Sequence, residues 1–427
     1  MNDLIVRGGH VVTAEGVTRA DIGVSDGQIT AVEPELPGAA TEIDASGLYV
    51  FPGGLDPHVH FNEPGRTHWE GLATGSAALA AGGFTAFFDM PLNSTPPTID
   101  GAGFDAKHEA ARRNSCLDYG LWGGLVPGNA DRLEELAERG VIGFKAFMSN
   151  SGIEDFQHAD DATLYDGMAI CARLGRLVAV HAENDALTAR STGPTARDFM
   201  DSRPLIAELE AISRAIAFAE DTGCALHIVH VSSARGVALV TDARARGVDV
   251  TCETCPHYLF LTPEDVEALG AVAKCAPPVR EHPGLWERMD EIDMVTSDHS
   301  PSSPDLKQGS FADAWGGIAG CQTTLTLLAG ECEPPALARL TSTGAAERFS
   351  MPHKGRIGPG ADADLALVDL NATHTLQAQD LLYRHQISPW IGRRLRARVV
   401  RTLLRGSDPA PGAGRLLTPA TERIPVT

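Results

Sequence analysis

From residue 52 onward, eight short β-like runs alternate with helix-like stretches, and few folds accommodate that rhythm. The runs are GLDPHVHF (54–61), FTAFFDMP (84–91), YGLWGGLV (119–126), VIGFKAFM (141–148), LVAVHAE (177–183), LHIVHVSS (226–233), VDVTCET (248–254) and IDMVTSDH (292–299). Between them lie stretches such as WEGLATGSAALAAGG, ADRLEELAERG, RPLIAELEAISRAIAFAEDTG and ARGVALVTDARARG, with helix-period apolar residues and a closing glycine. Glycine suits the left-handed turn that ends a helix. Strands alternating with helices mean a parallel sheet covered by helices. Eight of them predict closure into a (β/α)8 barrel of the TIM type rather than an open, doubly wound sheet.

The two ends read differently. Residues 1–50 and 355–405 hold short strand candidates, such as LIVRGG and ADLALVDL, broken by Gly and Asp. Neither end has the apolar content to close a core alone. They are expected to pair into one small β-sandwich-like domain, residues 1–51 with 353–427, beside a barrel of residues 52–352. The tail after Gly406, rich in Pro, Gly and Thr, reads as loosely ordered.

Composition narrows the function. The net charge of -21 excludes nucleic acid and anionic membrane as natural partners. With a mean hydropathy of -0.08, no apolar run approaches the roughly 20 residues of a membrane span. MNDLIVRGGHVVTAEG has no basic start and apolar core, so a cytoplasmic protein is the expectation. Eight cysteines scattered through apolar segments fit reduced thiols. CETC (252–255) lacks the second pair that a zinc ribbon needs and reads as strand.

In such a barrel the chemistry lies at the C-terminal strand ends. His58 and His60 end the first strand, one residue apart and so on one face. Lys145 lies in the fourth, while His181, His230 and Asp298 end the fifth, sixth and eighth. Asp89 stands in the second. Imidazoles and a carboxylate gathered at one barrel end suit zinc and its neighbours. In LHIVHVSS two histidines three apart face opposite sides of a strand; His230 is the candidate ligand, with His227 packing between barrel and helices. His299 points away from any metal beside Asp298, and His257 has no assigned role. Only five of the 35 basic residues are lysines, so one inside VIGFKAFM is not compositional drift. A buried amine with a depressed pKa can react with carbon dioxide, and the carbamate offers two oxygens to bridge two metals. Such a pair can activate a hydroxide at neutral pH, and Asp298 could be both ligand and proton carrier.

These residues resemble the cyclic amidohydrolases: dihydroorotase, hydantoinase and allantoinase. The resemblance covers most of the chain, including KGRIGPGADADLALVDL (354–370). It implies that His58, His60, carboxylated Lys145, His181, His230 and Asp298 hold two divalent ions. Zinc is the first expectation, with manganese or cobalt as alternatives. It further implies a small cyclic ureide as substrate and a homotetramer.

Three stretches separate members of the family. Dihydroorotases carry an arginine two residues beyond the second histidine to grip a carboxylate, and this chain has Asn62. Hydantoinases carry a tyrosine five residues beyond the lysine, and this chain has Asn150. HFNEPGR, MPLNS, KCAPPVR and SDHSPSSPDLK followed by WGGIAG resemble the allantoinase branch instead. That branch implies hydrolysis of a cyclic amide in ureide degradation, with substrate contacts at Asn93, Cys275, Ser300 and Gly317. The rivals are another ring-opening member of the family, of hydantoinase, dihydropyrimidinase or dihydroorotase type, and a non-catalytic scaffold. A scaffold is expected to lose ligands, and all six are present.

Overall fold

The computed structural model describes residues 2–189 and 193–420. Five strands come first: β1 (Leu4–Thr13), β2 (Gly16–Ser25), β3 (Gln28–Glu33), β4 (Thr41–Asp44) and β5 (Tyr49–Pro52). The barrel strands follow as β6 (Gly54–Val59), β7 (Phe84–Asp89), β8 (Asp118–Leu121), β9 (Gly123–Gly124), β10 (Phe144–Phe147) and β11 (Val178–His181). They continue with β12 (Leu226–Ile228), β13 (Val250–Thr254) and β14 (Met294–Val295). The C-terminal part adds β15 (Leu365–Asp369), the short pair β16 (His374–Thr375) and β17 (Arg394–Leu395), and β18 (Arg398–Leu403).

All eight runs read from the sequence are barrel strands, with β8 and β9 forming one strand interrupted at Trp122. The pairings run β6–β7–β8 and β9–β10–β11–β12–β13–β14, and each described register is parallel. A bridge between Val59 and His299, with His60 N donating to His299 O at 2.8 Å, closes the circle. Alternation along the strands divides the side chains. Phe144, Ala146, Val178 and Val180 face the helices in one apolar layer. Leu55, Phe88, Trp122, Ala179, Val229, Met294 and Phe349 fill the interior in another. Both layers are apolar and buried, so the barrel is a packed core on whose upper end a polar site can be held rigidly.

The chain ends meet in one seven-stranded sheet, ordered β18-β15-β5-β1-β2-β3, with β4 also pairing β1. The sheet forks at β1. Leu4–Arg7 pair with β4, whereas His10 and Val11 pair with β5. The fork lets it wrap a separate apolar cluster that includes Ile22, Val50, Leu365 and Leu403. Lys354 ties sheet to barrel: its Nζ lies 2.6 Å from Asp118, 2.9 Å from Asp362 and 2.7 Å from Asp364. These three carboxylates are close enough to hold a metal, but the Lys354 ammonium already stands among them and Arg405 Nη1 donates to Asp118.

Order in the tail corrects the expectation for residues 407–420. Tyr119 N donates to Arg415 O at 2.9 Å and Leu417 N donates to Tyr119 O at 2.7 Å, so the tail runs alongside β8. Leu417 packs against the barrel interior. Main-chain pairing of this kind is indifferent to side-chain type, which is why a Pro- and Gly-rich composition concealed it. Residues 421–427 lie outside the described residues.

Candidate metal centre and substrate cavity

Strand geometry brings the six predicted ligands to one end of the barrel. Val59 and Phe61 face the helix layer, which turns His58 and His60 inward. The imidazole centroids are 5.6 Å apart. His58 Nε2 and His60 Nε2 lie 3.3 and 3.4 Å from the same oxygen, Asp298 Oδ1. Across the opening, His181 Nδ1 and His230 Nε2 are 3.0 Å apart. The His58 and His230 rings are 5.5 Å apart, so the two groups adjoin.

Two buried glutamates aim these rings. Glu253 accepts from His58 Nδ1 and also from His227 Nε2 at 3.0 Å, leaving His58 Nε2 to face the site. Glu183 accepts from His181 Nε2 at 2.9 Å, leaving Nδ1 for the site. A carboxylate on the far nitrogen fixes the tautomer and raises the basicity of the near one. Burial would push the Glu253 carboxyl up, but His58 and His227 hold it well below the usual range. Burial also lowers the pKa of His60, His181 and His230, so their imidazoles are neutral at pH 7, the form that binds metal. For Asp298, burial is outweighed by His58 and His60, which bring its carboxyl down to about 2.

Lys145 projects into the interior between the outward-facing Phe144 and Ala146. It is 1% exposed, and its Nζ has no hydrogen-bond partner among the described residues. Burial brings its amine down to about 7. An orphaned amine, four imidazoles and an ionised carboxylate form a donor set that fits a divalent metal centre.

His227 corrects the sequence reading. It sits inside the barrel, not between barrel and helices, with Nδ1 at 2.8 Å from Thr251 Oγ1 and Nε2 on Glu253. The parity argument failed because β12 ends at Ile228 and His230 takes a φ of +40°, which swings its ring back inward. Both histidines therefore serve the site, one at its rim and one beneath it. His230→Ala is expected to strip tightly held metal. His227→Ala should lower stability by about 1–3 kcal/mol and weaken metal binding by roughly tenfold through Glu253. Metal content and thermal unfolding of the two variants check this ranking; equal metal loss from both would remove it.

The remaining candidates sort themselves by position. A cavity of about 310 Å³ opens over the histidines and is lined by Asn93, Cys275, Ser300 and Gly317, all four suggested contacts. Gly317 has φ +118°, and a Cβ there would meet Ser300 O at 2.2 Å, so this wall requires glycine. Asn150 also lines the cavity, whereas Asn62 turns away and donates Nδ2 to Pro301 O at 3.2 Å. Asp89 is not at the site; it pairs with Lys107 at 2.6 Å. His299 accepts from Gly320 N at 3.2 Å on the far side. His257 is buried with its Nε2 unpartnered among the described residues, and burial lowers its pKa to about 4. Cys252 and Cys255 are buried free thiols.

Sequence reasoning missed Glu183, Glu253 and Arg203, although Glu183 stands two residues after His181 and so shares its face. It also missed what the scarce lysines do. Lys274 Nζ donates to Phe311 O, Ala312 O and Ala314 O at 2.7–2.9 Å. Lys307 Nζ donates to Trp315 O at 2.9 Å and Gly317 O at 2.6 Å. The two lysine side chains thereby pin the 311–317 wall of the cavity.

Comparison with known proteins agrees with this architecture. Residues 49–407 match the model of the amidohydrolase family. The chain is 56% identical to an allantoinase from Rubrobacter xylanophilus, covering 99% of this chain and 98% of that protein. It is 43% identical to an allantoinase from Escherichia coli, covering 95% and 94%. Among solved structures, L-hydantoinase (dihydropyrimidinase) from Arthrobacter aurescens superposes with a TM-score of 0.94 at 31% identity, covering 98% of this chain and 100% of the other.

Proposed function

The chain belongs to the amidohydrolase family, and from that premise we propose that it hydrolyses the ring amide of allantoin to give allantoate. The observation that carries this reading is the convergence of His58, His60, Lys145, His181, His230 and Asp298 beneath one cavity, in a chain 56% identical to an allantoinase. These six residues would hold two divalent ions, zinc first and manganese or cobalt as alternatives, with Lys145 carboxylated between them. When bound, such ions make water a nucleophile at neutral pH and polarise a carbonyl.

The residues of the chain do the rest. Glu253 and Glu183 hold His58 and His181 with one nitrogen toward the site. Asp298, ionised at neutral pH, takes a proton from water as its oxygen adds to the ring carbonyl carbon. It delivers that proton to the ring nitrogen as the C–N bond breaks. Asn93, Cys275, Ser300 and Gly317 form the wall against which the ring lies. Residues 52–352 are the catalytic barrel in this reading, with 1–51 and 353–427 as its β domain. A cytoplasmic homotetramer belongs to the same reading, and sedimentation of the purified protein tests the assembly.

Substrate choice is the direct test. Asn62 is neutral and donates to Pro301 O, so the position two residues beyond His60 supplies no cation for a carboxylate. Allantoin is expected to be turned over with a kcat/KM at least about a hundredfold above that for dihydroorotate. Side-by-side assay of allantoin, dihydroorotate, hydantoin and dihydrouracil on metal-loaded protein decides it. Comparable efficiency on the first two would overturn the substrate while leaving the metal centre intact.

A further inference from the structure

The geometry points to Arg203 as the specificity-determining residue that reads the exocyclic ureido arm of the substrate. This rests on the allantoin reading, because the arm is what distinguishes allantoin from unsubstituted hydantoin. The arm ends in a carbonyl flanked by N–H groups, so its recognition needs a donor fork held outside the ring site.

Arg203 follows directly on the helix Ala196–Ser202 and lines the cavity. One edge of its guanidinium is fixed: Nη1 donates to Glu183 Oε2, and the group lies over Phe199 with 5.3 Å from Cζ to the ring centroid. The side chain stays 16% exposed, and Nε and Nη2 donate to no other described residue. Lys274, the other cation on this wall, has its donors committed to three main-chain carbonyls. Arg203 is thus the one cation lining the cavity, among the described residues, with donors to spare. A fork braced by a carboxylate and an aromatic ring suits a neutral carbonyl acceptor. A substrate carboxylate at the same place would also face Glu183.

Glu183 Oε2 accepts from Arg203 and, at 2.9 Å, from His181 Nε2. One oxygen therefore joins the arm-reading group to a ring of the metal centre. Docking of the arm fixes the substrate relative to His181 without any group of the arm touching the reacting bond.

Steady-state kinetics of Arg203→Met and Arg203→Lys test the proposal, with metal content measured on each and hydantoin used as a competitor that lacks the arm. Arg203→Met should raise the KM for allantoin by about thirtyfold, with kcat within about threefold and the hydantoin inhibition constant within about twofold. Arg203→Lys, which keeps a cation beside Glu183, should keep its metal and recover part of the loss. It carries the test if the methionine variant loses metal. Allantoin and hydantoin weakened equally, or an allantoin KM that does not move, would overturn the role of Arg203. Wild-type protein that opens hydantoin but not allantoin would overturn the substrate reading and the arm with it.

Discussion

Lys145→Arg is expected to be as inactive as Lys145→Ala, with both losing metal. The amine is buried, lacks a hydrogen-bond partner among the described residues, and is brought by burial to about 7. At pH 7.5 most of it is neutral, whereas an ordinary lysine is neutral in only about 0.1% of molecules. A neutral amine adds to the carbon of carbon dioxide and loses a proton, giving the anion that two cations can share. Guanidinium keeps its charge and has no oxygen to offer. A short carboxylic acid added to Lys145→Ala should restore some metal and some turnover by occupying the vacated space. The sign of the pH effect follows from the lowered pKa. As pH falls through about 7 the amine takes up a proton, so metal-free wild-type protein should reactivate in metal and bicarbonate more slowly at pH 6 than at pH 8. Intact mass under native conditions, read for the added carboxyl group, is an independent measure. Full activity in Lys145→Arg would end the carbamate proposal.

Asp298→Asn should lower kcat by at least about a thousandfold even at saturating metal, because an amide cannot take up and pass on the proton. Asp298 is suited to that task by position, with the imidazoles of His58 and His60 within 3.4 Å of Oδ1, and by its carboxyl, ionised down to about pH 2. The same shift makes a stability statement. Its folded value lies below the ordinary 3.8, so the stabilisation is present above that pH and is lost as pH falls through about 2. Metal titration against kcat separates the two roles of the residue. If excess metal restored turnover in Asp298→Asn, Asp298 would be a ligand alone. The proton step would then pass to another group, with His257, buried and unpartnered at Nε2 among the described residues, the candidate to examine.

The sequence by itself determined the barrel, its eight strands and the residues at their ends. Period-two and period-3.6 patterns are local, and a (β/α)8 closure sends every strand end to the same face. His58, His60, Lys145, His181, His230 and Asp298 are therefore legible as one group in the sequence. Asn93, Cys275, Ser300 and Gly317 came only from the resemblance to family motifs, and the structure lines the cavity with all four. Tertiary structure alone decided what holds these groups in place. Glu253 meets His58 across 195 residues of chain, and Glu183 joins His181 to Arg203. Lys274 and Lys307 fasten a loop through main-chain carbonyls that carry no sequence signature. The tail beside β8 and the fork at β1 are main-chain events of the same kind. His227 shows the boundary clearly: alternation held while the strand lasted and failed two residues past Ile228. There a left-handed φ at His230, whose N–H donates to Glu253 of β13, turns the chain back toward the site.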